Sequence, residues 1–215
     1  MSTMLFKDRH DAGHQLLPQL SKYREQKDVI VLGLARGGMV VASEVAQGLG
    51  APLNVIVVRK VGAPGNEELA MGAIAEVGDG VFNESVLRAF NVSSDYLKAE
   101  VVRQKKILQE RLALYRGKSP APNLKGKTVI LVDDGIATGA SMRVAIKSVR
   151  DSGAKKIVLA VPVAAPDSLR TIAREVDEVV CLLSPVFFEA VGSFYQAFDQ
   201  TSDQEVIRLI QSSQR

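Results

Sequence analysis

One stretch of thirteen residues, Val129-Ile130-Leu131-Val132-Asp133-Asp134-Gly135-Ile136-Ala137-Thr138-Gly139-Ala140-Ser141, constrains this chain more than any other. Its apolar, β-branched run predicts a buried strand, two adjacent carboxylates stand where that strand should end, and a Thr-Gly-Ala-Ser turn opens onto a helix. The amide N–H groups of Ala137 to Ser141, with the hydroxyls of Thr138 and Ser141, can converge on a phosphate monoester at the helix N-terminus, where the macrodipole also favours an anion. Asp133 and Asp134 would then face the polyol that carries the phosphate.

Other phosphate motifs fit less well. A Walker loop places a lysine where this chain has Ala140. A haloacid-dehalogenase-like phosphatase spaces its two aspartates one position apart, whereas Asp133 and Asp134 are contiguous. The stretch resembles the 5-phosphoribosyl-1-pyrophosphate (PRPP) signature of type I phosphoribosyltransferases. That resemblance implies that Asp133 and Asp134 hold the ribose 2- and 3-hydroxyls, while Ala137, Thr138, Gly139, Ala140 and Ser141 wrap the 5-phosphate.

The rest of the chain keeps a strand-and-helix rhythm. Asp8 to Tyr23 reads as an amphipathic helix, Asp28 to Leu34 as a strand, Ala35-Arg36-Gly37-Gly38 as a glycine turn, Met39 to Gly48 as a helix, and Leu53 to Val58 as a second strand. Val61 to Asn66, with two glycines and a proline and no period, reads as a mobile loop. Leu69 to Glu76 and Gly80 to Asn83 are candidates for a hairpin, and Ser93 to Arg116 for the longest helix. Strands at Thr128–Val132, Lys156–Val161 and Glu178–Leu183 alternate with helices at Gly139–Ser152 and Asp167–Glu175. Five core strands with interleaved helices make a doubly wound, mainly parallel α/β sheet, the core that the resemblance also implies. At 215 residues the chain reads as a single domain over 1–215, with its core at about 28–183, a flexible loop at about 61–83, and a small hood from about 184–200 for which 6–23 is the candidate companion.

Both glycine turns follow the carboxyl ends of strands, the edge where open α/β sheets bind ligands. Gly37 and Gly38 let the backbone approach an oxyanion, and Arg36 adds a cationic fork. By resemblance, Ala35, Arg36, Gly37 and Gly38 bind pyrophosphate, joined by Arg59 and Lys60 at the end of the second strand. The loop from Val61 to about Gly72 would close over the reacting centre and exclude water. Departure of pyrophosphate builds positive charge on the ribose ring and negative charge on the leaving group. Asp133 and Asp134 would favour the first, while Arg36, Lys60 and Mg²⁺ would stabilise the second. The catalytic candidates are thus Asp133, Asp134 and Lys60, and Asp133 and Asp134 are the metal candidates, directly or through ribose hydroxyls or water.

The acceptor is a nitrogenous base by resemblance, and its identity is less visible. Phe187, Phe188, Phe194, Tyr195 and Phe198 crowd together after the last core strand, where they could stack a base or anchor the tail. Relatives that use 6-oxopurines carry an Asp where this chain has Ala137, which removes acid–base help from that position and disfavours hypoxanthine and guanine.

The alternative to a transferase is a PRPP-sensing regulator that binds RNA or DNA without catalysis. Between Ser93 and Lys118 the chain sets Lys98, Arg103, Lys105, Lys106, Arg111, Arg116 and Lys118 against Asp95, Glu100 and Glu110. A net charge of +3 is too small to argue for nucleic acid, which is not an expected partner. With 47% apolar residues, no signal-like apolar core in Met1–His10 and one cysteine, Cys181, inside an apolar run, a cytoplasmic protein with a buried thiol is expected. No membrane partner is expected, and the resemblance implies a homo-oligomer, commonly a homodimer.

Overall fold

The computed structural model describes residues 5–117 and 119–213, leaving aside the side chains of residues 67 and 68. The elements run α1 (Arg9–Leu20), β1 (Val29–Leu34), α2 (Gly38–Leu49), β2 (Leu53–Ile56), β3 (Arg59–Ala63), β4 (Asn66–Ile74), β5 (Val81–Phe82), α3 (Glu84–Ala89), α4 (Ser94–Arg116), β6 (Thr128–Val132), α5 (Ala140–Asp151), β7 (Lys156–Val163), α6 (Pro166–Ile172), β8 (Glu178–Leu183) and α7 (Asp203–Ser212). Five strands form a parallel sheet in the order β2-β1-β6-β7-β8, with Gly33 of β1 opposite Val55 on one side and Val132 on the other.

Strands β1 and β6 are buried at every position because both faces of the sheet are covered. Val29, Val31, Ile130 and Val132 point into a core shared with Leu16 and Leu20 of α1, Met39 and Val45 of α2, and Val206 and Ile210 of α7. The alternate residues Ile30, Leu32, Val129 and Leu131 meet Met142, Ile146 and Val149 of α5 and Ile172 of α6. Counting only the strands of the parallel sheet, the order is 2-1-3-4-5, so the connections leave in opposite directions from β1 and β6. In open α/β sheets such a switch point, at the carboxyl ends of these two strands, is where ligands bind.

The stretch after Arg59, expected as an irregular loop, forms a second sheet. Strands β3, β4 and β5 pair antiparallel, with Lys60 opposite Ala73 and Gly72 opposite Phe82. Pro64-Gly65, read as a break in pattern, is the tip of the β3–β4 hairpin, and Gly65 has φ +72, the geometry of a type II turn with Pro and Gly at its centre. Val61, Ala63, Met71 and Ile74 from this sheet are buried in the core that also takes in Leu108, Leu112 and Tyr115 of α4, which compensates for the missing alternation. The second strand is shorter than expected, ending at Ile56, because the chain leaves the parallel sheet to begin β3. The hairpin expected across residues 78–80 is the β4–β5 pair.

Beyond β8 the aromatic residues divide. Phe194 and Tyr195 are buried with Phe6, whose N–H donates to the Phe194 carbonyl at 2.9 Å, so the two terminal segments lie side by side. Phe188 stacks on Phe194 at 5.4 Å, whereas Val186 and Phe187 are 86% and 90% exposed. No helix among the described residues is long and apolar enough to cross a membrane.

Candidate functional site

The two glycine turns meet at the switch point. A Cβ on Gly37 would fall 2.0 Å from Asp134 Oδ2, and one on Gly38 would fall 2.7 Å from Asp133 Oδ1. Glycine is therefore required at both positions for the turn after β1 to lie against the carboxylates that end β6. The turn runs through a cis Ala35–Arg36 peptide.

The two carboxylates are held differently. Asp133 Oδ1 accepts the Asp134 N–H at 2.9 Å, and burial together with the adjacent Asp134 charge pushes the Asp133 carboxyl well above the usual carboxylate range. Burial also raises Asp134, but less far, because the Arg9 guanidinium opposes it. Arg9 Nε donates to Asp134 Oδ2 at 2.7 Å, and the Tyr195 hydroxyl donates to the Asp134 carbonyl at 2.6 Å.

Asp133, Gly135 and the turn Ile136–Met142, with Val191, line a cavity of about 170 Å³. The turn is fastened from behind: the Ile136 N–H donates to the Val163 carbonyl at 2.9 Å, and Ser168 Oγ donates to the Ala137 carbonyl at 2.6 Å. Gly139 takes φ +75 just before α5, and no side chain caps that helix, so its first-turn N–H groups are left to the cavity side. Ala137, Thr138, Ala140 and Ser141 are exposed, while Gly139 is buried against Ile172. This is the arrangement that anion binding at a helix N-terminus needs.

The basic candidates are more scattered. Arg36 Nη1 lies 3.7 Å from Asp203 Oδ1, which also accepts the Tyr115 hydroxyl at 2.5 Å, so α7 and α4 together brace the turn after β1. Arg59 is turned toward α4, where its Nε and Nη2 donate to Gln104 Oε1 at 3.0 and 2.9 Å; burial and the nearby Arg111 and Arg103 charges lower its pKa. Lys60, its neighbour on β3, is exposed. Geometry thus brings Asp133, Asp134, Gly37 and Gly38 into contact, turns the Arg36 side chain toward Asp203, and commits Arg59 to a helix.

Sequence reasoning missed Arg9, Tyr195 as a backbone anchor, and Asp203. Arg9 reads as an ordinary surface residue just inside a capped helix, and its partner lies 125 positions away. Asp203 had a signal: Ser202 and Glu205 have the spacing of a capping box, and Ser202 Oγ accepts the Glu205 N–H at 3.1 Å at the start of α7.

The sequence pattern of the phosphoribosyl transferase domain matches residues 6–196. A curated protein of Mycobacterium tuberculosis H37Rv, named provisionally as a phosphoribosyl transferase, is 46% identical over 212 residues, or 98% of this chain and 47% of that protein. The chain spans about half the length of the curated relatives it matches. Among solved structures, TT1426 from Thermus thermophilus is similar with a TM-score of 0.83 and 43% identity, covering 97% of this chain and 99% of that one. The AQ2163 protein from Aquifex aeolicus shares the fold alone, with a TM-score of 0.51 at 15% identity over 81% of this chain and 71% of that one.

Proposed function

The chain belongs to the phosphoribosyl transferase domain family, and on that premise we propose that it transfers the 5-phosphoribosyl group of PRPP to a nitrogenous base and releases pyrophosphate. The observation that carries this reading is the contact of Gly37 and Gly38 with Asp134 and Asp133. It sets two anion-suited turns against one pair of carboxylates, as a sugar bearing a phosphate at one end and a diphosphate at the other requires.

In this proposal the N–H groups of residues 137–141 and the hydroxyls of Thr138 and Ser141 hold the 5-phosphate. Asp133 and Asp134 hold the ribose hydroxyls and favour positive charge on the ring, while Ala35, Arg36, Gly37 and Gly38 receive the diphosphate. Lys60, exposed on β3, is assigned to the leaving group; Arg59 has the weaker claim because Gln104 already engages it. The β3–β4 hairpin is the element assigned to cover the crevice and exclude water.

Two adjacent carboxylates facing a phosphate crevice are a hard, all-oxygen donor set of the kind Mg²⁺ accepts when most of its ligands are substrate oxygens and water. Asp133 and Asp134 fit that ion, and when bound it would supply neutralising charge to the departing diphosphate. The acceptor belongs to the same proposal: Ala137 supplies no carboxylate, which disfavours 6-oxopurines.

The regulator reading loses support from two of its cations. Arg116 is buried and donates to Glu76 Oε1, Asn54 Oδ1 and the Val55 carbonyl, and Arg103 pairs with Glu100. Lys118 lies outside the described residues. A cytoplasmic location is part of the proposal; Cys181, expected to be buried, is half-buried on β8, and burial pushes its thiol up to about 11. The homo-oligomer also belongs to the proposal, on the family resemblance alone.

The test is calorimetric titration of magnesium PRPP, followed by pyrophosphate release across a panel of bases. Binding, with release for at least one base, is expected. Absence of binding overturns the proposal. Binding with silence across the panel and salt-sensitive RNA retention would turn it to the regulator.

A further inference from the structure

Arg9 is fastened on three sides. Its Nε donates to Asp134 Oδ2 at 2.7 Å, its Nη1 donates to the Asp199 carbonyl at 2.7 Å, and its guanidinium carbon sits 3.8 Å from the centre of the Phe198 ring. The pair is withdrawn from solvent, with side chains 11% and 15% exposed. Phe198 in turn lies 5.0 Å from the Tyr195 ring, and Tyr195 donates to the Asp134 carbonyl. The first turn of α1, the segment 195–199 and the end of β6 therefore close on one carboxylate.

That closure fixes the orientation of the Asp134 carboxylate. Oδ2 is occupied by Arg9 and abuts Gly37, where a Cβ would stand 2.0 Å away. The carboxylate cannot rotate without breaking a charge-assisted bond and moving into the turn after β1. Arg9 is also the cation that offsets the burial of the Asp134 carboxylate, which on its own would favour the neutral acid.

We propose that Arg9 is a positioning residue of the transfer site, clamping Asp134 through Oδ2 so that the carboxylate meets the ribose hydroxyls in one fixed orientation, with Phe198 and the Asp199 carbonyl setting the plane of the clamp. The inference rests on the PRPP reading of the crevice. A guanidinium is needed: its planar fork can donate to two acceptors in fixed directions while stacking on a ring, which an ammonium cannot do. Arg9 acts through Asp134 and need not touch the sugar.

The experiment is a double-mutant cycle read by calorimetric titration of magnesium PRPP, with Arg9→Gln, Asp134→Asn and the double variant, and Arg9→Lys as the conservative change. Arg9→Gln should weaken PRPP binding by about 10- to 100-fold, the loss expected when a charge-assisted bond is removed. In the Asp134→Asn background the same change should cost less than about 2-fold, because the residue it acts through is already altered. Arg9→Lys should stay weakened, and it keeps the test decisive if Arg9→Gln does not fold. Equal losses in both backgrounds, unchanged affinity in Arg9→Gln, or full recovery in Arg9→Lys would each overturn the inference. If the unmodified protein binds no PRPP, it is the proposed function that falls.

Discussion

Gly37 and Asp134 are packed so closely that a methyl group on the glycine would overlap the carboxylate, with 2.0 Å between its Cβ and Oδ2. Gly37 itself has φ −57 and ψ −40, ordinary right-handed backbone, so alanine there meets no torsional strain. The whole effect of Gly37→Ala is steric and falls on the acid. PRPP affinity should drop by about 10- to 100-fold, the loss expected when a charge-assisted bond is broken, and Tm should fall because the displaced carboxylate gives up its bond with Arg9. Titration calorimetry beside a thermal melt checks both halves.

Asp133 should carry function at the expense of stability. Burial and the Asp134 charge raise its folded pKa above the ordinary value of 3.8. A raised acid stabilises the fold below its unfolded pKa, and that contribution is lost as pH rises through the folded value. Asp133→Asn should therefore make the free protein more resistant to urea than the parent, by a margin that grows with pH from about 4. Each kcal/mol gained would lift Tm by about 2–4 °C at this chain length. The same variant should lose pyrophosphate release, and equal urea midpoints at neutral pH would contradict the account.

Far from the crevice, Glu178 behaves oppositely. Burial raises it, but hydrogen bonds from Lys22, Tyr23 and Lys156 outweigh burial and hold it at about 2. A depressed acid adds stability that is fully present above its unfolded pKa, 4.5, and is lost as pH falls through about 2. Tyr23 donates to Glu178 Oε2 at 2.6 Å, and Tyr23→Phe should cost about 1.5–3 kcal/mol at neutral pH, the range for a bond to a charged group. The cost should shrink as pH falls from about 4.5 toward 2, and urea unfolding at several pH values measures it.

What the sequence made legible was local. Strand β6, its terminal acids and the turn to α5 are contiguous, so pattern, turn chemistry and helix start all agree within thirteen residues. Arg36-Gly37-Gly38 could be placed at the same edge because it also follows a buried strand. That Gly37 is glycine to accommodate a carboxylate could not be read, since Asp134 reaches it only through the register of β1 with β6. The hairpin at Pro64-Gly65 was obscured because buried Val61, Ala63 and Met71 are held by α4 rather than by a two-residue alternation. Arg9 carried no local signal at all, and only tertiary packing reveals it.

The chain's single cysteine provides a test whose first readout needs no ligand. Cys181 sits on β8 with its Sγ 3.1 Å from the Leu183 carbonyl, and burial pushes the thiol up to about 11. At pH 8 only about 0.1% would be thiolate, against roughly a quarter of a free cysteine with an ordinary pKa near 8.5. Iodoacetamide should therefore label the folded protein at least about 100-fold more slowly than a model thiol, with full labelling in urea. Because the thiol faces the sheet-side core beside Leu159 and Val161 rather than the crevice, Cys181→Ala should leave PRPP affinity unchanged while lowering stability by about 1 kcal/mol. Rapid labelling of the native protein, or loss of PRPP binding on alkylation without unfolding, would instead connect β8 to the site.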